Sequence, residues 1–282
     1  MPEYDPVDPP VALTIAGSDS GGGAGIQADL TAMTAHGVFG TAVVTATTAQ
    51  NTRGVEDVTP VPVDHVASQY AAVAGNFDVG AVKTGMLATA EIVDAVTEAV
   101  ADADAPLVVD PVMVAATGDR LLSPAAEEAY EDLIAAATLV TPNADEAAVL
   151  TGEPVETPAD AEAAGRALVA LGADAALVKG GHLDGESVEG DVVVDTLVRS
   201  DGAGGGETGL TVDRFETPRI DTDATHGSGC ALSSAIAARL ARGESVREAV
   251  GVAVEEMTEA VRRGYDVGVG PGAVNPTALG GE

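Results

Sequence analysis

The chain has 282 residues and a formal net charge of -32, with 45 Asp and Glu residues against 13 Lys and Arg residues. Nucleic acid and anionic membranes are unsuitable partners for so acidic a protein, because binding to them needs clustered basic side chains. Almost half of the residues are apolar, which argues against disorder, but only 2% are aromatic. The core must therefore be built from Val, Ala, Leu and Ile.

Cysteine content and the N-terminal segment both indicate an intracellular protein. The single cysteine, Cys230, cannot form an internal disulfide, which is typical of a reducing compartment. No charge-free apolar stretch of about 20 residues occurs, so no membrane-spanning helix is expected. Residues 1–10 are acidic and proline-rich and lack the features of a signal or transit peptide. We predict a flexible acidic tail over residues 1–10, a single domain over residues 11–282, and a cytoplasmic location.

Short apolar runs alternate with segments of helical periodicity through the first two thirds of the chain. Strands are predicted at residues 11–16, 42–45, 79–83, 107–110, 138–141 and 175–179. Helices are predicted at residues 26–36, 63–74, 89–101, 124–136, 144–150 and 158–171. This alternation favours an α/β fold, in which a mainly parallel sheet is covered by helices on both faces.

The pattern changes after Gly180. Residues 192–199 and 210–215 are predicted to be antiparallel strands that flank a hydrophilic, glycine-rich loop at residues 200–209. Two helices are predicted to follow, at residues 229–241 and 245–262. The Gly- and Pro-rich segment from Gly268 onwards is predicted to be an irregular tail.

A glycine-rich segment, AGSDSGGGAG at residues 16–25, lies between the first strand and the first helix. Clustered glycines allow backbone N–H groups to approach a ligand at a helix N-terminus. A tight structural turn would have the same composition. The segment is neither a Walker loop nor a dinucleotide fingerprint. Asp29 follows in the first turns of the helix, where a carboxylate stabilises the helix dipole.

Two further segments place carboxylates directly after predicted strands. Asp110, in VVDPVM, is expected at the carboxyl edge of the sheet, where ligands bind in such folds, although it could equally cap the following segment. Asn143 and Glu146, in TPNADE, have the spacing of a capping box. The functional alternative is that Glu146 holds Mg²⁺ through water while Asn143 orients it.

The segment THGSGC, at residues 225–230, opens an apolar helix and is the most specific motif. The backbone N–H groups of Gly227, Ser228 and Gly229 are predicted to form an anion hole for a transferring phosphoryl group. Cys230 is predicted to have a lowered pKa and to act as a base, although a buried structural cysteine is the commoner case. His226 is interpreted as a turn residue.

The chain contains only two lysines, Lys83 and Lys179. Where lysine has been almost eliminated from a surface, the remaining lysines are expected to be held by packing or by chemistry. Chance survival on the surface is the alternative for each lysine taken alone.

Seven segments, taken in order, resemble the hydroxymethylpyrimidine/phosphomethylpyrimidine kinases of thiamine biosynthesis. They are AGSDSGGGAGIQADL, TATTAQNT, VKTGML, VVDPVM, TPNADEA, VKGGH and THGSGC. The resemblance covers about residues 11–275 and implies a ribokinase-like fold, with a mostly parallel central sheet, helices on both faces and a small flap. It also implies ATP-dependent phosphorylation of 4-amino-5-hydroxymethyl-2-methylpyrimidine and of its monophosphate, with ATP and Mg²⁺ as cofactors.

The resemblance also implies a role for each site residue. The residues that it places at the pyrimidine are Gln50, Asp29, Gly17 and Ala24 as hydrogen-bonding partners and Met86 against the ring. It places Cys230 at the position of the catalytic base, beside the anion hole. It assigns Glu146 and Asp110 to Mg²⁺, Asn143 and Asp110 to the phosphates, and Lys179 to the nucleotide.

Three departures from the family pattern and three alternative functions accompany the resemblance. Ser20-Gly21 replaces the usual Pro-Ser, the 200–209 loop is expanded, and the tail reads GPGAVNP.

A pyridoxine, pyridoxal or pyridoxamine kinase would share the fold. A sugar kinase fits less well, because the motifs carry few polar residues for a polyol. A non-catalytic pyrimidine sensor would not need a transfer site. The partner expected is a small molecule, and a homodimer is expected.

The net charge generates a prediction about salt. Dense carboxylates repel one another unless salt screens them, so the surface is expected to be adapted to molar salt. Dialysis from molar KCl into dilute buffer should unfold or inactivate the protein, as measured by circular dichroism and enzymatic activity. A chain that keeps both its fold and its activity in dilute buffer would contradict this interpretation.

Overall fold

The computed structural model describes residues 6–113, 124–182, 191–200 and 209–281. The strands are β1 (Val11–Ser18), β2 (Phe39–Asn51), β3 (Gly54–Pro60), β4 (Val79–Thr84), β5 (Leu107–Val109), β6 (Leu139–Val140), β7 (Ala175–Val178), β8 (Val192–Ser200) and β9 (Leu210–Pro218). The α-helices are α1 (Gly25–Ala35), α2 (Val63–Ala74), α3 (Ala90–Val100), α4 (Pro124–Ala135), α5 (Ala144–Thr151), α6 (Pro158–Ala170), α7 (Ser228–Ala241) and α8 (Val246–Arg262).

The described strands form one sheet in the order β3-β2-β1-β4-β5-β6-β7-β8-β9. Neighbouring strands from β2 to β7 are parallel, and β3, β8 and β9 extend the sheet by antiparallel pairing at its two sides. The mainly parallel α/β sheet predicted from the alternating pattern is confirmed.

Helices cover both faces of the sheet, because successive strand residues point to opposite sides. Ala81 packs with the face covered by α1, α7 and α8, whereas Val82 packs with the face covered by α2, α3, α4 and α6. Val, Ala, Leu and Ile dominate both clusters, as the composition predicts. Helix α7 is almost entirely buried, and its small side chains allow it to lie directly against the central strands.

The hairpin formed by β2 and β3 is a correction to the predicted elements. Strand β2 is much longer than the predicted 42–45 segment, and β3 was not predicted at all. Strand β3 lies at the edge of the sheet and carries exposed Glu56, Asp57 and Thr59. An edge strand exposed in this way lacks the apolar alternation from which strands are recognised. The hairpin corresponds to the small flap implied by the resemblance.

The C-terminal segment also differs from its prediction as an irregular tail. Tyr265 and Ala273 pair through their backbones, with a Tyr265 N–H to Ala273 O distance of 2.7 Å. Val274 then donates to the carbonyl of His226 at 3.0 Å, and Val274 and Leu279 are buried. Gly270 donates to the hydroxyl of Thr52 at the tip of the β2–β3 hairpin. The segment therefore joins the hairpin to the entrance of α7.

Some predicted features fall on residues outside the described ranges. These are residues 1–5 of the N-terminal tail and residues 201–208 of the glycine-rich loop. Within the described ranges, no helix has the length and apolar character needed to cross a bilayer.

Candidate active site

Asp110 and Lys179 form an ion pair at the carboxyl edge of the sheet. Asp110 directly follows β5 and Lys179 directly follows β7, and the Lys179 Nζ to Asp110 Oδ1 distance is 3.0 Å. The Thr141 hydroxyl also donates to the Asp110 carboxylate at 3.2 Å. The Ser233 hydroxyl lies 3.3 Å from the same carboxylate and 2.9 Å from the Gly229 carbonyl. Burial alone would raise the pKa of Asp110, but the charges of Lys179 and Lys83 outweigh it and lower the pKa. The ammonium of Lys179 is thus held at the rim of the site.

Asn143 and Glu146 form the predicted capping box at the start of α5. The Asn143 N–H donates to Glu146 Oε2 and the Glu146 N–H donates to Asn143 Oδ1, both at 2.8 Å. Glu146 is only 6% exposed. Burial, together with the charge of Asp110, raises the pKa of Glu146 to about 7, while Lys179 opposes the shift. Two carboxyl groups therefore lie close together, and a cation between them would relieve their repulsion.

The glycines of THGSGC allow the start of α7 to lie against the Asp110–Lys179 ion pair. Gly227 has a φ of 79°, and a side chain there would collide with the carbonyl of Gly23. A Cβ at Gly229 would lie 3.1 Å from Lys179 Nζ. The Ser228 N–H donates to the Thr225 carbonyl, so it is already committed. Among the described residues no backbone acceptor is bonded to the N–H groups of Gly227 and Gly229. The predicted hole of three donors therefore has two open donors here.

Cys230 lies in the first turn of α7 and is half-buried. Burial raises the pKa of its thiol to about 11; Lys83 opposes this shift, and the charges of Asp29 and Asp110 add to it. The predicted lowering of the pKa is therefore wrong. The positive end of the helix and one ammonium group do not compensate for burial beside two carboxylates.

Asp29 and Lys83 form a second acid–lysine pair beneath the site. Lys83 Nζ lies 3.0 Å from both carboxylate oxygens of Asp29, and neither side chain is exposed. Thr14 and Ser234 donate to the same carboxylate at 2.6 and 2.8 Å. The structure thus places Asp29 below the surface of the site, with both oxygens bonded inside the protein. Direct hydrogen bonding to a pyrimidine, as the resemblance implied, is not available to Asp29 in this arrangement.

Backbone donors of the first glycine-rich segment are satisfied by Asp19. Its carboxylate accepts from the N–H groups of Gly21, Gly23 and Ala24 at 2.7, 3.1 and 2.9 Å. The turn alternative is therefore the better description of this segment. The N–H of Ala24 is not free for a ligand.

Gly17 and Met86 are in direct contact. The Gly17 N–H donates to the Met86 carbonyl at 3.1 Å, so it too is committed within the protein. A side chain at Gly17 would collide with the terminal methyl group of Met86. Met86 is 9% exposed and lies over the end of β1, where it can cover one face of a flat ring.

His226 was interpreted only as a turn residue, and the structure gives it a larger role. Its Nε2 lies 3.0 Å from Asp19 Oδ2 and 3.5 Å from Gln50 Nε2. His226 and Gln50 are both partly buried. These contacts join residues separated by 207 and 176 positions, so no local pattern could have predicted them.

This edge of the sheet combines an oriented ammonium group, open N–H donors at a helix start and a half-buried thiol. Together with the fold, it defines a small-molecule kinase of the ribokinase-like class. Residues 19–275 match the family described as phosphomethylpyrimidine kinase. The chain is 48% identical over 271 residues to the hydroxymethylpyrimidine/phosphomethylpyrimidine kinase of Streptomyces coelicolor, covering 96% of this chain and 95% of that protein. The chain belongs to the phosphomethylpyrimidine kinase family, which confirms the resemblance.

Solved structures with the same fold come from two kinds of kinase. A Bacillus subtilis pyridoxal kinase in complex with ADP has a TM-score of 0.84 and 33% identity, covering 96% of this chain and 98% of that chain. A Clostridium difficile phosphomethylpyrimidine kinase has a TM-score of 0.73 and 39% identity, covering 89% of this chain and 99% of that chain. The shape is thus shared with both, and the alternative vitamin B6 substrate must be tested directly.

The buried Asp29–Lys83 pair generates a prediction about stability. Lys83→Met leaves a buried carboxylate without its cation and should lower the free energy of unfolding by about 3–5 kcal/mol. The double variant Lys83→Met/Asp29→Leu removes both charges and should recover a large part of that loss. Urea unfolding in molar KCl measures both values. A double variant no more stable than the single one would contradict the assigned pairing.

Cys230 generates a prediction about reactivity, since only a thiolate is alkylated. With its pKa at about 11, Cys230 should react with iodoacetamide at pH 7 on the order of 100-fold more slowly than a free thiol of ordinary pKa. The rate should rise about tenfold for each pH unit up to pH 10. Because the chain has one cysteine, intact-mass spectrometry gives the rate directly, with free glutathione as comparison. A rate that levels off below pH 8 would contradict the raised pKa.

Proposed function

We propose that the protein transfers the γ-phosphoryl group of ATP to the hydroxymethyl group of 4-amino-5-hydroxymethyl-2-methylpyrimidine, and then a second group to the resulting monophosphate. The observation that carries this proposal is the contact between the α7 start and the Asp110–Lys179 pair. It supports phosphoryl transfer because a fixed cation lies beside the open N–H donor of Gly229. Membership of the phosphomethylpyrimidine kinase family supports the choice of substrate.

In this proposal the start of α7 stabilises the transferring group. The N–H groups of Gly227 and Gly229 and the positive end of the helix act on the negative charge of the phosphoryl oxygens. Lys179, whose side chain is 15% exposed, supplies a full positive charge beside Gly229. Its bond to Asp110 orients the ammonium before the nucleotide arrives, so little reorganisation is needed during the reaction.

Asp110 and Glu146 are the residues that we propose for Mg²⁺. Asn143 orients Glu146 and, with Asp110, is proposed to lie at the phosphates. The donor set fits a hard cation, because both groups are carboxylates and their charges repel each other. The described residues contain no group of three or more His, Cys, Asp or Glu side chains able to hold a metal ion. Mg²⁺ uses few protein ligands and neutralises phosphate charge when bound with a nucleotide.

We assign to Cys230 the orientation of the substrate hydroxyl. At neutral pH its thiol keeps its own proton in the protein without nucleotide, since the pKa is raised to about 11. We therefore do not assign it the removal of a proton before transfer begins. A loose phosphoryl-transfer transition state does not require early deprotonation. The phosphate nucleophile of the second step is already anionic. Loss of the thiol should therefore slow the first step more than the second.

A pyridoxal kinase is the second candidate, because the Bacillus subtilis pyridoxal kinase shares the fold with a TM-score of 0.84. The side chains of Gln50 and Met86 favour the aminopyrimidine, since an amide pairs with an amino-substituted ring. A pyrimidine sensor would not require Lys179 or the open donors. The homodimer and the cytoplasmic location expected from the sequence remain proposals.

The test is ADP release in molar KCl with ATP and Mg²⁺, comparing the pyrimidine, its monophosphate and pyridoxal as acceptors. The wild type should use both pyrimidines. Lys179→Met should lower kcat by about 100-fold or more for each, because a charge contact to the transition state is lost. Cys230→Ala should slow the first step more than the second.

Arg166→Met is the matched control, because it removes a cation that pairs with Glu162 on α6. It should leave the rates unchanged. Turnover of pyridoxal alone would replace the proposal with the vitamin B6 alternative. Binding of the pyrimidine without ADP release would favour the sensor.

A further inference from the structure

The backbone of Gln50 is fixed to the first glycine-rich segment. Its N–H donates to the hydroxyl of Ser20, and the same hydroxyl donates to the Gln50 carbonyl, both at 2.8 Å. These bonds fix the backbone, and the terminal amide is oriented by its own neighbours. Its carbonyl and NH₂ ends differ in hydrogen bonding, so the direction in which it faces decides what it can bind.

Thr48 is the first neighbour of this amide. Its hydroxyl lies 2.9 Å from the carbonyl of Ser18 and 3.3 Å from the amide of Gln50. The single hydroxyl proton goes to the Ser18 carbonyl, which is nearer and can only accept. Toward Gln50 the Thr48 oxygen can therefore only accept. It favours the NH₂ end of the amide on its side.

His226 is the second neighbour, and it can only donate. Its Nε2 lies 3.0 Å from Asp19 Oδ2. Burial would raise the pKa of Asp19, but hydrogen bonds from His226, Gly21 and Ala24 outweigh it and lower the pKa, so the carboxylate is ionised at neutral pH. Since an ionised carboxylate can only accept, Nε2 must carry a proton. That proton is directed to Asp19, so Nε2 has no lone pair for an amide N–H of Gln50. An amide NH₂ group would face another N–H there, so the amide oxygen is the favourable group on this side.

The two neighbours thus select the same orientation from opposite sides. As placed, Gln50 Oε1 faces Thr48 and Nε2 faces His226. Turning the terminal amide by 180° exchanges the two ends, so that the carbonyl faces His226 and the NH₂ group faces Thr48, as both neighbours require. Each end keeps one free site, a lone pair on Oε1 and one N–H on Nε2. A ligand that reaches this amide therefore meets an acceptor and a donor in a defined order.

We propose that Thr48 and His226 determine substrate specificity by fixing the direction of the Gln50 amide. The inference rests on the proposed function and adds the residues that enforce its substrate preference. The fixed amide matches a ring edge on which an amino donor adjoins a ring-nitrogen acceptor, as in an aminopyrimidine. The ring of pyridoxal has no amino group next to its nitrogen, so the Gln50 carbonyl would be left without a donor.

The experiment is calorimetric measurement of the Kd of the aminopyrimidine and of pyridoxal, without nucleotide, in molar KCl. The wild type should bind the aminopyrimidine at least tenfold more tightly than pyridoxal. Thr48→Val and His226→Phe should each reduce this preference about tenfold, chiefly by weakening the aminopyrimidine. Thr48→Ser keeps the hydroxyl and should restore the preference. A ratio of two Kd values is insensitive to a general loss of folded protein.

Thr47→Val and His65→Ala are the matched controls, because both residues are exposed. They should leave the preference unchanged. A wild type without preference, or an unchanged preference in both Thr48→Val and His226→Phe, would overturn the inference. A wild type that binds selectively but releases no ADP would refute the proposed function and leave the inference standing.

Discussion

The site depends on two acid–lysine pairs that contact consecutive residues of one helix. The Ser234 hydroxyl of α7 donates to Asp29 at 2.8 Å, and the Ser233 hydroxyl lies 3.3 Å from Asp110. Each aspartate in turn holds a lysine at 3.0 Å. Removing one partner of such a pair leaves a charge in a poorly solvated place, so each pair constrains the position of α7 strongly. The helix start, with its thiol and open donors, is placed by these contacts below it.

Most helices and the parallel strands could be predicted, because burial on one or both faces leaves a periodic pattern in the sequence. The exceptions have a common cause. Strand β3 lies at an edge and carries exposed polar residues, and the C-terminal segment is ordered by contacts with Thr52 and His226 rather than by its own composition. The local sequence contains no information about either set of partners.

In the candidate site too, some features follow from the local sequence and others depend on distant contacts. Local motifs predicted which residues gather at the carboxyl edge, including the capping box of Asn143 and Glu146. They did not predict the pKa values of these residues, because charges from distant chain segments help to determine them. The helix position of Cys230 predicts easy ionisation, but burial raises its pKa, and the charges of Asp29 and Asp110, brought near it by folding, add to this shift. The contact of His226 with Asp19 could not be predicted for the same reason.

The distribution of lysine has a consequence for covalent chemistry. Neither of the two lysines lies on the open surface, since Lys83 is wholly buried and the Lys179 side chain is 15% exposed. Reagents that acylate amines, whether used for labelling, immobilisation or crosslinking, therefore find almost no lysine to modify. The side-chain amine that they can reach is the one beside the helix start, so covalent modification of this amine would report whether the site is occupied.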